Sequence, residues 1–545
     1  MVKFVNLDDC PGFQELLRLA RPSLASLLSA TRVAGCEVPM AAGLVFNWGA
    51  TPVDGAVLSA LEKIARDQQL VEKYRMLAEG AVMNTGEKRM VLHHLARGQL
   101  GAPVVHNGRN LRDFYEGERR RVADFVRAVH AGTIRGSTGK EFSTAVQIGI
   151  GGSDLGPRAL HIALERWARE HGRMKMDARF ISNVDPDDAN AVLARCDLER
   201  TLFILVSKSG TTQETLANEV LVRSRLEGAG LKPSGHMIAV TSETSPLARN
   251  PGYLDSFYID DFIGGRYSSS SAVGGVVLSL AFGPESFSDF LDGAHKADRM
   301  ALEPDIRRNA ALLDALIGLY ERNVLGMGTT AVLPYADALA RFPAHLQQLD
   351  MESNGKRVNR DGAAISYSTG PVVFGEPGTN GQHSFYQLLH QGTDIVPLQF
   401  IGFLEGQTRG DVEVEGSTSR RKLQANLAAQ IVAFARGQAD DNPNKTFPGN
   451  RPSTLIRGTR LDPAALGALL AHFENKVMFQ GFAWNINSFD QEGVQLGKLL
   501  AKRLLSGANG SANGGASGSA NGTHGDEGKD ELLAAYAGLL LPPNA

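Results

Sequence analysis

The sequence predicts an α/β protein: two mainly parallel sheets in series, each flanked by helices. Three observations predict it. From about Ala145 onward, short apolar runs of strand length alternate with helical stretches, and the pattern restarts after about Met300. The chain has 545 residues, and one hydrophobic core rarely grows past about 250–300 residues.

Taken in order, the first 120 or so residues read mainly as helices. Pro52-Val53-Asp54 opens one, and Gly55–Glu79 carries apolar residues at helical spacing. Arg109–His130 contains EGERRRVADFVRAVH, basic enough to suggest nucleic acid. Glu116, Glu118 and Asp124 are interleaved, and the apolar residues recur helically, so it reads as a solvated amphipathic helix. AVQIGI (145–150), ARFIS (178–182), LFILV (202–206) and HMIAV (236–240) read as buried strands. Helices are expected between them at Pro157–His171 and Thr212–Glu227. In the second half TAVLP (330–334), PVVF (371–374) and IVPLQFIGF (395–403) supply strands, and Asp337–Gln348 and Arg421–Arg436 supply helices. The expected domains are a helical region over 1–115 that packs on the second sheet, a smaller sheet domain over 116–290 and a larger one over 291–505. A tail follows at 506–545; its Ser/Gly/Asn-rich part, 506–528, cannot bury enough apolar surface to stay ordered, and a terminal helix is expected after it.

Composition narrows the function. Lys plus Arg is 56 and Asp plus Glu is 59, a net charge of −3. Such a balance gives no long-range field to gather nucleic acid or anionic lipid, so an anionic substrate must be met by a local site. Cys10, Cys36 and Cys196 are too few and scattered for a disulfide framework or a zinc site, which suits a reducing compartment. No secretory h-region is evident at the start, and the longest apolar stretch, Ala272–Gly283, is too short to span a bilayer. A cytoplasmic setting is expected.

Several segments carry chemistry. In VSKSGTTQET (206–215) a buried strand runs into a loop with hydroxyls at Ser207, Ser209, Thr211 and Thr212, and the loop opens a helix. Helix-start amides and hydroxyls suit a phosphate. The alternative is plain capping, since Thr211-x-x-Glu214 matches a capping box. IGIGGSDLGPRAL (148–160) is a strand, a glycine turn and a helix; Asp154 stands where a dinucleotide fingerprint has its last glycine. The turn reads either as close backbone approach to a small polar ligand, with Ser153 adding a hydroxyl, or as an ordinary βα turn. In GGRYSSSSAVGG (264–275), Arg266 is suited to a developing oxyanion or to a structural ion pair. Glu352, in QQLDMESNGKR (347–357), sits on a loop after a helix, where a carboxylate serves as a general base or is merely solvated. GEPGTNGQHSFYQLLHQGTD (375–394) starts a helix near Gly381–Gln382, with His383 in its first turn. His383 suits proton shuttling, whereas His390 reads as a packed, hydrogen-bonded helix residue. No H-E-x-x-H pattern or matching carboxylate accompanies them, so no metal is expected. Lys498, in SFDQEGVQLGK (488–498), is an exposed helix lysine on its own evidence.

Together these segments are not anonymous. The order IGGSDLGP, SKSGTTQET, GGRYS, MESNGK, GEPGTNGQHSFYQLLHQGT and GVQLGK resembles the glucose-6-phosphate isomerase (phosphoglucose isomerase) family from about Phe46 to about Lys498. The resemblance implies two sugar-isomerase (SIS) domains and no cofactor. It also implies a homodimer in which His383 comes from the partner subunit, and aldose–ketose isomerisation of a hexose 6-phosphate through a cis-enediolate. It places the phosphate on Ser207, Ser209, Thr212 and the backbone of Lys208. The sugar falls to Gly152, Ser153, Gln348 and Gln491, the base to Glu352, the oxyanion to Arg266, and ring opening to His383 and Lys498. The chain departs from the pattern in places. Ser209 stands where Thr is frequent, SSSSAVGG replaces a bulkier stretch after Arg266, and Glu492 replaces a Trp. Three rivals remain: an amino-sugar phosphate enzyme, a non-catalytic sugar-phosphate-binding SIS regulator, and a Rossmann dehydrogenase.

Overall fold

In chain order the strands of the two main sheets are β1 (Glu37–Pro39), β2 (Val45–Asn47), β3 (Thr144–Ile148), β4 (Asp177–Ile181), β5 (Thr201–Val206), β6 (Met237–Thr241), β7 (Ser256–Tyr258), β8 (Thr329–Tyr335), β9 (Val372–Phe374), β10 (Leu398–Phe403) and β11 (Ser453–Gly458). They belong to a computed structural model that describes residues 2–510 and 524–541. The chain divides into two units, Met1–Phe489 and Asp490–Ala545; both sheets lie in the first.

Strands β3 to β7 form an all-parallel sheet in the order β4-β3-β5-β6-β7. The expected apolar runs supply its interior: β5 is buried at every position, as a strand covered on both faces must be. Helices Leu155–Glu170 and Gln213–Gly228 follow β3 and β5. The chain leaves β3 for β4 on one side and later returns to β5 on the other. The carboxyl ends of β3 and β5 therefore flank a switch point, where open α/β sheets bind ligands.

The second sheet runs β1-β2-β11-β10-β8-β9. It is parallel from β11 to β9, and β2 joins β11 antiparallel. The N-terminal region is thus not helical throughout: β1 and β2 form a short hairpin at the sheet's edge. The helix expected over Gly55–Glu79 is two helices, Gly55–Asp67 and Leu70–Ala78, parted at Gln69, whose φ of 50° breaks the helical path. Arg109–His130 does fold as one helix, Leu111–His130.

The apolar stretch near Ala272 forms an interior helix, Ala272–Phe282, buried at every residue from Val273 on. Among the described residues no helix is long and apolar enough to cross a membrane. Helix Pro463–Ala483 is likewise almost wholly buried. Its Glu474 meets Arg97, which also holds Asp298 at 3.0 and 3.1 Å; all three side chains are fully buried. The pairing compensates charges that would otherwise be costly inside the core.

The second unit contains a 3-10 turn, Glu492–Val494, and helices Gln495–Gly510 and His524–Leu540. Of the segment expected to be disordered (506–528), residues 511–523 lie outside the described residues.

Candidate active site

The glycine turn after β3 owes its shape to packing. Gly151 has φ +60°, a left-handed conformation that glycine adopts without strain. A Cβ on Gly152 would stand 2.2 Å from the carbonyl carbon and oxygen of Gly265, and 2.8 Å from the amide of Arg266. Gly152 therefore lets two backbone segments touch, an observation the sequence reading of ligand approach did not anticipate. Gln147 Nε2 donates to the Ser153 carbonyl at 2.7 Å and fixes the turn. A Cβ on Gly151 would lie 3.3 Å from Gln348 Nε2, so Gln348 borders the same turn.

Across the switch point lies the hydroxyl loop. Ser207 Oγ and Thr212 Oγ1 are 3.1 Å apart, and Ser207 Oγ accepts from the Gly210 amide at 3.1 Å. Ser209 Oγ accepts from the Thr211 amide and hydroxyl at 3.2 and 2.9 Å. The capping box does not form: Thr212 is the N-cap of helix Gln213–Gly228 and its side chain accepts no cap hydrogen bond. The helix start keeps the orphan amides that attract anions. Lys208 turns away from the loop and donates from Nζ to the Ile263 carbonyl at 3.1 Å. Burial holds its ammonium below the ordinary lysine range, against the pull of Asp261. That contact ties the hydroxyl loop to the chain leading into Gly264-Gly265-Arg266.

Arg266 occupies a 3-10 segment, Gly265–Ser270, and is 1% exposed. Nε donates to Ser353 Oγ at 2.6 Å and Nη2 to the Ser488 carbonyl at 2.6 Å. Nη1 stands 3.6 Å from Glu352 Oε1.

Glu352 is not on a loop, as the sequence suggested. Helix Phe342–Gln347 passes directly into a π-helical turn, Gln348–Glu352. Such turns insert one residue into the helical path and occur frequently at functional sites. The turn buries Leu349 and Asp350 and leaves Gln348 and Glu352 partly exposed. Behind it is a small cavity of about 30 Å³ lined by Glu321, Asp350, Gln399, Lys476 and Gln480 among others. Burial raises Asp350 to about 6 and Glu321 to about 8, with Lys476 opposing both. Lys476 itself pairs with Asp314 at 3.0 Å.

The structure thus gathers Gly152, Ser153, Gln348, Glu352 and Arg266, and links the Ser207–Thr212 loop to them through Ile263. His383 also belongs to the first unit. It is exposed, on a 3-10 turn, Asn380–His383, and the α-helix starts only at Tyr386. It makes no hydrogen bond or ion pair with Glu352 or Arg266. His390 is the packed residue the sequence suggested, hydrogen-bonded to Gln430 at 2.9 Å and stacked on Phe434 at 3.7 Å. Gln491 and Lys498 belong to the second unit, Gln491 at the N-cap of its 3-10 turn and Lys498, exposed, on helix Gln495–Gly510. Sequence reasoning missed Ser353, Tyr267 and Ser488, although each lies inside or beside a motif it singled out. Among the described residues no group of three His, Cys, Asp or Glu side chains comes together as a metal site.

Comparison with known proteins shows what the chain as a whole is similar to. The sequence model of the family described as phosphoglucose isomerase matches residues 47–523. A glucose-6-phosphate isomerase of Treponema denticola is 60% identical over 514 residues, 93% of this chain and 97% of that protein. One from Borreliella burgdorferi is 44% identical over 513 residues, again 93% and 97%. The crystal structure of a glucose-6-phosphate isomerase from Chlamydia trachomatis superimposes with a TM-score of 0.89 at 41% identity, covering 98% of this chain and all (100%) of that one.

Proposed function

The chain belongs to the phosphoglucose isomerase family, and we propose that it interconverts glucose 6-phosphate and fructose 6-phosphate, an aldose–ketose isomerisation serving glycolysis and gluconeogenesis. The observation that carries this reading is the carboxylate of Glu352 beside the anchored guanidinium of Arg266, on the side of the sheet where the hydroxyl loop waits for a phosphate.

Ser207, Ser209, Thr212 and the loop amides hold the distal phosphate. That anchor orients C1 and C2 toward Glu352 and converts binding energy into positioning. Gln348, Gly152 and Ser153 flank the sugar. His383 moves protons between the ring oxygen and O1 to open the ring. Glu352 takes the C2 proton of the aldose, leaving a cis-enediolate with its charge on O1; the O2 proton then passes to O1 as Glu352 gives its proton to C1, yielding the ketose. Arg266 stabilises the oxyanion as it forms, a fixed charge in a buried place where it acts strongly.

The working unit in this reading is a homodimer, with His383 reaching a partner's site; its exposure and its lack of any bond to Glu352 support that. Residues 116–290 and 291–505 are read as the smaller and larger SIS domains, with 1–115 on the larger. The all-parallel sheet at 144–258 and the entry of β1 and β2 into the other sheet support this division. A cytoplasmic setting is part of the proposal, supported by three unpaired cysteines. The test is to incubate the purified protein with fructose 6-phosphate and detect glucose 6-phosphate with a coupled dehydrogenase. Absence of product, or preference for glucosamine 6-phosphate, refutes the reading.

A further inference from the structure

Ser353 follows the proposed base in the chain, yet it points to the other side of the chemistry. Its side chain is fully buried, and its Oγ accepts from Arg266 Nε at 2.6 Å. The same oxygen is 3.1 Å from the hydroxyl of Tyr267, which is buried and stacked on His93 at 4.7 Å and 26°. Ser353 at Nε and the Ser488 carbonyl at Nη2 hold the planar guanidinium, and Nη1 is the atom nearest Glu352. The resulting separation, 3.6 Å, is informative. An unrestrained Arg–carboxylate pair closes to about 2.7–2.9 Å and is frequently bidentate. A closed pair would hold the carboxylate charged and occupied, and would fill the space the reacting oxygens need.

We propose that Ser353 is a positioning residue for the isomerisation: its hydroxyl, steadied by Tyr267 on His93, holds Arg266 off Glu352, so that the guanidinium is aimed at the enediolate and the carboxylate stays available as the base. This rests on the functional reading above. Among the described residues the charged or titratable groups around the stack include Arg266 and Glu352 themselves, Asp350 of the same π-helical turn, Glu474 of helix Pro463–Ala483, and Arg97 and His94 beside His93. All of them are kept in the variants below, so differences report the Ser353 contact.

The experiment compares the full-length protein with Ser353→Ala, Ser353→Thr and Tyr267→Phe, using fructose 6-phosphate turnover. Misplacing a catalytic group by about 1 Å costs about 10²-fold. Ser353→Ala should therefore lose about 10- to 100-fold in kcat with KM little changed. Ser353→Thr keeps the acceptor and should recover most of kcat; Tyr267→Phe should lose less than Ser353→Ala. If Ser353→Ala does not fold, Ser353→Cys, nearly isosteric but a weak acceptor, takes its place. A binding readout needs no turnover: wild type should prefer arabinonate 5-phosphate, whose carboxylate mimics the enediolate, over arabinitol 5-phosphate, and Ser353→Ala should lose that preference. An inactive wild type whose preference is still lost in Ser353→Ala refutes the isomerase reading and leaves the Arg266 positioning standing. A Ser353→Ala protein with kcat within about twofold of wild type and an intact preference overturns the inference.

Discussion

Glu352 Oε1 stands 3.6 Å from Arg266 Nη1, although the two residues come from a π-helical turn and a 3-10 segment far apart in the chain. Neither residue alone distinguishes a catalytic from a structural role. In the proposed reading their pairing matters: the proposed base and a buried positive charge share one spot, and the cation is also held by Ser353 and the Ser488 carbonyl.

The hydroxyl loop should govern affinity. Each hydrogen bond to a charged group is worth about 1.5–3 kcal/mol, roughly 10- to 100-fold. Replacing Ser207 and Thr212 together by Ala should raise KM for the phosphorylated sugar by at least the lower of these factors and change kcat less. Inhibition by inorganic phosphate should weaken in parallel. Steady-state kinetics with phosphate as the competitor checks this, and an unchanged inhibition constant places the anion elsewhere.

Gly152 should tolerate no side chain. An added Cβ meets the Gly265 backbone at 2.2 Å, and backbone cannot swing aside as a side chain can. Gly152→Ala should cost about 1–3 kcal/mol of stability, the usual toll of overpacking, and a larger share of activity, because Arg266 follows Gly265 directly. Thermal unfolding and kcat measured on one preparation test both parts.

The shared-site proposal predicts complementation. Glu352→Gln and His383→Ala should each be nearly inactive alone. Co-expressed, half of the dimers are mixed, and each mixed dimer holds one intact site. Activity should return to about a quarter of wild type if C2 dimers assemble at random. No recovery in mixed dimers puts His383 and Glu352 in the same subunit's site or removes His383 from it.

The cavity behind the π-helical turn makes stability depend on pH. Burial raises the Glu321 carboxyl to about 8 in the folded protein, against an ordinary value of 4.5. Between these values the folded state keeps a proton that the unfolded state has lost. Its contribution is therefore fully present below the unfolded value and falls away as pH rises toward 8. Glu321→Gln should flatten the decline in Tm between pH 5 and pH 8 and raise Tm at the alkaline end. A steeper decline in the variant contradicts the assignment.

What the sequence made legible follows from the physics of each element. Parallel strands buried on both faces read as continuous apolar runs, so β3, β4, β5, β6, β8 and β10 stand out, and the short PVVF run marks β9. The edge hairpin β1–β2, the three-residue β7 and the partly polar β11 (STLIRG) lack that signature and were passed over. The π-helical turn was invisible because one inserted residue leaves too short a trace in a 3.6-residue period. The capping-box signal at Thr211 misled, since its hydroxyl goes to Ser209 instead. The candidate residues themselves were found through their motifs. What could not be found was how they depend on one another: Ser353 meets Arg266 across 87 residues of chain, a pairing that only the folded backbone creates.

The central claim is that Glu352 moves a proton between neighbouring carbons of a sugar held by its phosphate. Running fructose 6-phosphate to glucose 6-phosphate in D2O, and reading deuterium at C2 of the product by NMR, tests it most directly. Deuterium at C2 of the wild-type product shows that the transferred hydrogen passed as a proton through an exchangeable base, and Glu352→Gln should give neither product nor label. Near-normal turnover by Glu352→Gln contradicts the claim.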